Sequence, residues 1–365
     1  MVVGTRPEAI KLAPVAAALT ARGLEPALIL TGQHPALDPA AFGLAGLRAE
    51  NLRCPGRTDP HAHVRAVSKA LVPLLKRSGC DLLVVQGDTS SAAAGALAAR
   101  VAGVPLAHVE AGLRTHDARM PWPEERFRVA IDRRADLLFA PTETSAANLR
   151  SECISGAVHV TGNSGIDALV AVTASLPRTR VRDRGQPTLL ASFHRRESWD
   201  TGFEAIASAL RAIAAEGIAA VDVVLHPNPH LAGRARRLLG HSRNVRLREP
   251  CSHQEMIAAM LECTLMLSDS GGVQEEAPAL GVPLLVLRDK TERPEGLAAG
   301  NMELVGTDPV RIVAAVRRIL ADPLALATMS RPALPYGDGR AAPRIAEVIA
   351  RWLTAPPATG SDNDG

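Results

Sequence analysis

The chain has 365 residues, 47% of them hydrophobic, with 41 basic against 38 acidic side chains. At about 150 residues per domain this length predicts about two domains, and 22% charged residues among abundant aliphatics exclude disordered and collagen-like chains. A net charge of +3 and 2% aromatics supply neither a basic stripe nor base-stacking platforms, so nucleic acid is not an expected partner.

No apolar run approaches the ~20 residues of a membrane span, and no basic-then-apolar leader opens the chain. No membrane partner and a cytoplasmic location are expected. Cys54, Cys80, Cys153, Cys251 and Cys263 are odd in number and form no CxxC pair, which gives neither a disulfide framework nor a zinc site.

In chain order, short aliphatic runs bounded by Gly, Pro, Asp or Asn alternate with segments of helical apolar spacing. This is the pattern of parallel strands joined by crossover helices. Val2-Val3 leads into Gly4 and a helix predicted over 7–22. Strands follow at 26–30, 81–85, 104–109, 137–140 and 158–161, with a helix over 90–101. The runs are continuous rather than alternating, so both faces of each strand are expected to be buried. The stretch 177–187, rich in Arg, Gly and Pro, reads as a linker. Strands resume at 188–192, 221–225, 245–247, 265–267, 284–287 and 303–305.

This predicts an α/β chain of two doubly wound, Rossmann-like domains, 1–176 and 188–340. A helix over 341–353 is available to either domain, and a polar tail, 355–365, is expected to be disordered. One echo supports two similar halves: strand, acidic turn, helix and a Gly-Val-Pro-Leu strand entry occur over 84–106 and again over 265–284.

In an open parallel sheet, ligands bind beyond the carboxyl ends of the strands, where helix N-termini present unpaired N–H groups. After the first strand, Arg6 and Lys11 at a helix start either hold a phosphate or are surface cations on a capped helix. Asp88 ends the strand before Thr89-Ser90-Ser91, as a site carboxylate or a helix cap. Glu110 ends an apolar strand, where a carboxylate is costly unless it is paired, with Arg114 for example, or functional. Glu124 and Glu125 open the next helix and also suit its dipole.

In the second half, His194 follows a strand beside Arg195 and Arg196, a proton carrier or a hydrogen-bonded loop histidine. Ser270-Gly271-Gly272 exposes backbone N–H groups as a diphosphate nest, and Glu276, one turn later, is able to take a ribose diol. Arg293 follows the next strand. The motif His226-Pro227-Asn228-Pro229-His230 is not a metal site, because two prolines prevent the helix that would align its histidines. The residues together suggest a nucleotide in a cleft between two facing sheets, with acid/base chemistry beside it.

The strings GTRPEAIKLAP at 4–14, QGDTSSA at 86–92, HVEAGLRT at 108–115, PWPEE at 121–125, FAPTETSAANL at 139–149, FHRRES at 193–198, SDSGGVQEEAPALG at 268–281, RDKTERPE at 288–295 and PYGDG at 335–339 resemble the non-hydrolysing UDP-N-acetylglucosamine 2-epimerases. They span nearly the whole chain, in order. The resemblance implies a GT-B-type fold, a homodimer, and interconversion of UDP-GlcNAc and UDP-ManNAc without metal or cofactor. The reaction it implies is anti elimination of UDP to a 2-acetamidoglucal, then re-addition.

Carried over by motif, Asp88, Glu110 and Glu124 form the acid/base group and His194 lies near the diphosphate. Which acid removes the proton stays open. Arg6, Lys11, Ser270, Gly271 and Gly272 hold the nucleotide or its phosphates, Glu276 the ribose, and Arg293 the sugar or phosphate. Cys251 and Met256 fall at the uracil.

The alternatives are an epimerase for a modified UDP-2-acetamido sugar and a GT-B glycosyltransferase. Three departures from the family pattern carry expectations. The short run before Gly4 suggests a frayed first strand. Ala36, where a polar residue is usual after Gln33, suggests weak or absent allosteric activation. Phe193, where a smaller residue is usual, suggests an altered tolerance at C2 or C3 of the sugar.

Overall fold

The computed structural model describes residues 1–34, 37–176, 185–193 and 201–354. The chain forms two compact units, one of 1–113, 122–168 and 337 onward, the other of 114–121 and 169–336. The division thus falls at 168/169, inside a helix, whereas the sequence suggests a boundary in 177–187, most of which lies outside the described residues.

The first unit carries strands β1 (Val2–Val3), β2 (Leu28–Leu30), β3 (Ala49–Asn51), β4 (Leu83–Gln86), β5 (Leu106–Val109), β6 (Leu137–Ala140) and β7 (Ala157–Val160). Two parallel ladders, β1-β2-β3 and β4-β5-β6-β7, lie side by side through β1 and β4. The order 3-2-1-4-5-6-7 is that of a doubly wound sheet, with its switch point between β1 and β4.

Helices α1 (Arg6–Thr20), α2 (Pro60–Ser78), α3 (Ser90–Ala102), α4 (Glu124–Asp132), α5 (Glu143–Ser151) and α6 (Ser164–Ser175) connect the strands. Strand side chains alternate between two cores. Val3, Val84, Ala107, Val109 and Phe139 face α1, while Val2, Leu83, Val85, Leu106 and Leu138 face α2 to α5.

The second unit repeats the plan with β8 (Thr188–Ser192), α7 (Thr201–Ala215), β9 (Ala220–Val224), α8 (Pro229–Leu239), β10 (Val245–Arg248), α9 (His253–Glu262), β11 (Leu265–Ser268), α10 (Gly271–Leu280), β12 (Leu284–Val286), α11 (Pro294–Ala298), β13 (Met302–Leu304), α12 (Pro309–Ala321) and α13 (Pro323–Met329). Its parallel sheet runs β10-β9-β8-β11-β12-β13, again 3-2-1-4-5-6. The sequence echo is therefore topological: β4-α3-β5 and β11-α10-β12 are the same step of the two sheets. A last helix, α14 (Ala341–Thr354), returns to the first unit and buries Ile345 and Ile349 against the α1 core.

Several expectations need correction. The first strand is not frayed: Val2 and Val3 are buried, pair with Ile29 and Leu30, and are flanked by backbone bonds from Ile29 N and Thr31 N. The strands are not all buried on both faces, because β3, β7 and β10 are sheet edges with exposed or half-buried residues. β3 carries no apolar run and pairs with β2 in a parallel ladder. Phe193 turns into the core of the second unit and packs on Phe203 at 4.8 Å between ring centres, so it does not offer itself to a sugar. Ala36 lies outside the described residues. At His226–His230 the helix starts only at Pro229, capped by Asn228, and His226 Nδ1 accepts from Asn228 N.

Candidate functional site

In the first unit the switch point gathers charged groups at the carboxyl ends of β1, β4 and β5. Thr5 and Glu8 open α1 as a capping box, with Pro7 in the first turn. The Glu8 carboxylate is fully buried and accepts from Gly4 N, Thr5 N, Thr5 Oγ1 and Thr89 Oγ1 at 2.6–2.9 Å. Burial pushes its carboxyl above the usual range against those four bonds. Arg6, half-buried, begins the helix. Lys11, one turn further in, places Nζ 2.6 Å from Glu110 Oε2, with both residues buried.

Glu110 therefore meets a cation from α1, 99 positions away, and Gln86 donates to the same oxygen. Its φ is +70°, the left-handed region that a residue with a Cβ occupies only when its surroundings hold it there. Asp88 is not the helix cap, because Thr89 accepts from Ala92 N in that role. Arg128 of α4 binds Asp88 instead, through Nε at 3.1 Å and Nη2, and Glu125 at 2.7 Å. Glu124, half-buried, is the first residue of the same helix. Helix α4 so carries one predicted carboxylate and the partner of another.

In the second unit, Ser192 and Ser268 join the central strands β8 and β11 by an Oγ···Oγ bond of 2.9 Å. Ser270 caps α10 by its backbone alone, so the first N–H groups of the helix, at Gly271 and Gly272, have no partner within it. A Cβ on Gly272 meets nothing nearer than Ser270 Oγ at 4.0 Å, whereas one on Gly271 would lie 2.9 Å from Arg293 Nη1.

A side chain at position 271 would press on the Arg293 guanidinium, which lies against it. Glu275 holds Arg293 Nε at 2.7 Å and Glu292 binds its Nη1. Arg288 pairs in turn with Glu292, and all four residues are buried. Tyr336 fastens the loop from below, accepting from Gly296 N and donating to Arg293 O, and burial pushes its phenol well up.

Glu276, also on α10, meets His253 Nε2 at 2.6 Å. His253 opens α9, whose capping box is Ser252 and Glu255, and Cys251 and Met256 sit half-buried around that turn. Lys290 is engaged by Asp117 at 2.9 Å, and that bond, with the Arg119 backbone N–H, holds the Asp117 carboxyl down at about 2.

His194 lies outside the described residues. Among the described residues, no group of three or more His, Cys, Asp or Glu is placed to hold a metal ion. No helix among them is long and apolar enough to cross a membrane. Sequence reasoning missed Glu8, Gln86, Arg128, Glu275, Glu292 and Tyr336. Each acts by holding another residue's side chain or backbone in place, and only the acid–base alternation of 288–293 was a signal for any of them.

Two half-sites thus stand on equivalent switch points, carboxylates anchored by cations in one unit and an N–H nest with an anchored arginine in the other. Comparison with known proteins agrees. A model described as UDP-N-acetylglucosamine 2-epimerase matches residues 17–350. The UDP-N-acetylglucosamine 2-epimerase of Escherichia coli O157:H7 is 41% identical, over 95% of this chain and 97% of its own length.

The structure of UDP-GlcNAc 2-epimerase from Neisseria meningitidis bound to UDP-GlcNAc superposes with a TM-score of 0.89 at 35% identity, covering 96% of this chain and 98% of that one. That from Methanocaldococcus jannaschii, in complex with UDP-GlcNAc and UDP, gives 0.83 at 30% identity, again covering 96% and 98%. With the family model matching residues 17–350 and the likeness running nearly the length of both chains, this chain belongs to the UDP-N-acetylglucosamine 2-epimerase family.

Proposed function

We propose that the chain is a non-hydrolysing UDP-GlcNAc 2-epimerase that interconverts UDP-GlcNAc and UDP-ManNAc. The observation that carries this reading is Glu110, a buried carboxylate in left-handed backbone at a strand end, held by Lys11 and Gln86. A carboxylate so placed is ready to exchange a proton and needs no reorganisation to do so.

The sugar loses its C2 proton to one carboxylate while the C1–O bond breaks, and UDP leaves with the bonding pair, giving 2-acetamidoglucal. A proton then returns to the other face of C2 and UDP re-adds at C1. Asp88, Glu110 and Glu124 serve the two faces. The departing diphosphate gains charge, which the N–H groups of Gly271 and Gly272, the Ser270 hydroxyl and Arg293 are suited to stabilise. An anion there also offsets a cation standing at a helix N-terminus, otherwise unfavourable by ~0.3–1 kcal/mol.

Glu276, oriented by His253, takes the ribose diol, and Cys251 and Met256 take the uracil. Arg6 and Lys11 face the phosphates, and His194 assists the leaving group. A homodimer in the cytoplasm completes the proposal, and sedimentation tests the dimer. Proton NMR with UDP-GlcNAc in D2O tests the reaction: UDP-ManNAc carrying deuterium at C2 is expected. No exchange with UDP binding intact would replace this reading by a modified UDP-sugar epimerase or a glycosyltransferase.

A further inference from the structure

β5 places His108 on the same face as Leu106, under α2 to α5, and the residue has no solvent exposure. Its Nδ1 lies 2.6 Å from Asp132 Oδ1 and its Nε2 2.8 Å from the Gly87 carbonyl oxygen. The Gly87 carbonyl oxygen only accepts, so Nε2 donates to it, and Nδ1 shares a hydrogen bond with Asp132. Asp132 Oδ2 accepts in turn from Gly112 N at 3.2 Å.

Gly87 directly precedes Asp88, and Gly112 stands two residues after Glu110. Gly87, Glu110 and Gly112 have φ of +67°, +70° and +85°, so both turns keep a conformation that outside contacts must hold. Gly112 is itself wedged: a Cβ there would lie 2.2 Å from the Ser145 carbonyl oxygen. Asp132 ends α4, the helix that begins at Glu124 and holds Asp88 through Arg128.

We infer that His108, braced by Asp132, is a positioning residue for the epimerisation: the hydrogen bonds of its two ring nitrogens lock the turns that carry Asp88 and Glu110 to each other and to α4. This rests on the epimerase reading. His108 acts through Gly87 and Asp132, and a misplacement of about 1 Å at reacting groups costs on the order of 10²-fold in rate.

Amide side chains separate its two bonds. In His108→Asn the shorter amide serves Asp132 but falls short of Gly87, whereas the His108→Gln amide reaches Gly87. His108→Asn is expected to lower kcat about 10- to 100-fold with KM and the UDP Kd nearly unchanged. His108→Gln should recover most of that loss at equal folded fraction. Asp132→Asn, whose amide donates to Nδ1 while its oxygen still accepts from Gly112, should cost less than about tenfold.

Amide hydrogen exchange supplies a readout apart from activity: Gly87, whose N–H donates to Val109 O, should exchange faster in His108→Asn and return toward the wild-type rate in His108→Gln. Wild-type kcat in His108→Asn, equal losses in Asn and Gln, or a loss above tenfold in Asp132→Asn would each overturn the inference. Failure of the wild type to exchange the C2 proton would overturn the epimerase reading instead, and the amide-exchange contrast would then decide the positioning role.

Discussion

The Lys11–Glu110 pair separates stability from chemistry in one experiment. Its atoms are 2.6 Å apart and the side chains are 9% and 6% exposed, so removing one partner takes this short ion pair from the other at a buried position. Lys11→Met alone is expected to destabilise the chain by about 3–5 kcal/mol, and Glu110→Gln alone by a similar or somewhat smaller amount, since the amide oxygen still accepts from Nζ. The double variant leaves two neutral side chains and should lose far less than the sum, a coupling of at least about 2 kcal/mol against the ~0.5 kcal/mol scatter of independent sites.

Turnover should behave otherwise. Glu110→Gln is expected to lower it by roughly 10²- to 10⁴-fold, the scale of a lost proton-transfer group, with the UDP Kd nearly unchanged, and the double variant should not recover it. Chemical denaturation gives the first quantity and C2 deuterium incorporation the second. Additive stability losses would refute the pairing. Turnover regained in the double variant would refute a proton-transfer role for Glu110.

The second unit offers three further tests. Gly271→Ala brings a methyl to 2.9 Å from Arg293 Nη1, so the guanidinium has to shift from its place against the helix N-terminus. Calorimetry should show UDP bound about 10- to 100-fold more weakly, the scale of one lost charged contact. Tyr336→Phe leaves the Gly296 N–H and the Arg293 carbonyl without their present partner and should cost about 1–3 kcal/mol in denaturation; unaltered stability would show that they find another. Burial raises the carboxyl of Asp222, but bonds from Arg246 and Arg248 outweigh it and hold the group below the ordinary carboxylate range. Its stabilisation is therefore complete above the unfolded value near 4 and is lost as pH falls through the lower folded value. Asp222→Asn should flatten that part of an acid-unfolding curve.

Much of the plan was legible because strand and helix write different periods into the sequence. The central strands show as aliphatic runs, and the turns after them hold Asp88, Glu110 and Ser270 where the switch-point rule puts them. What stayed hidden depends on separation in sequence. The cation for Glu110 comes from 99 positions away, and Arg128 reaches Asp88 across 40, distances that only the sheet order brings to contact. Of the two readings of Asp88, the helix cap fails because Thr89 takes that role. β3 was hidden because Ala49–Asn51 has no apolar signal and shows only in its pairing with β2. Phe193 misled because a residue beside a site motif was read as facing the site, whereas the strand's alternation turns it into the core.

The return of α14 to the first unit has a consequence for the order of synthesis. Arg22 of the α1 end and Pro343 touch across 321 positions, and Ile345 and Ile349 fill the core begun by Leu12 and Val15. On a ribosome making about 5–20 residues per second, the first unit, whose sheet ends at Val160, waits roughly 10–40 s for its last helix while the second unit is made. During that wait one apolar flank of the nascent N-terminal sheet is uncovered, the kind of surface that chaperones bind. The N-terminal half emerges first and finishes last.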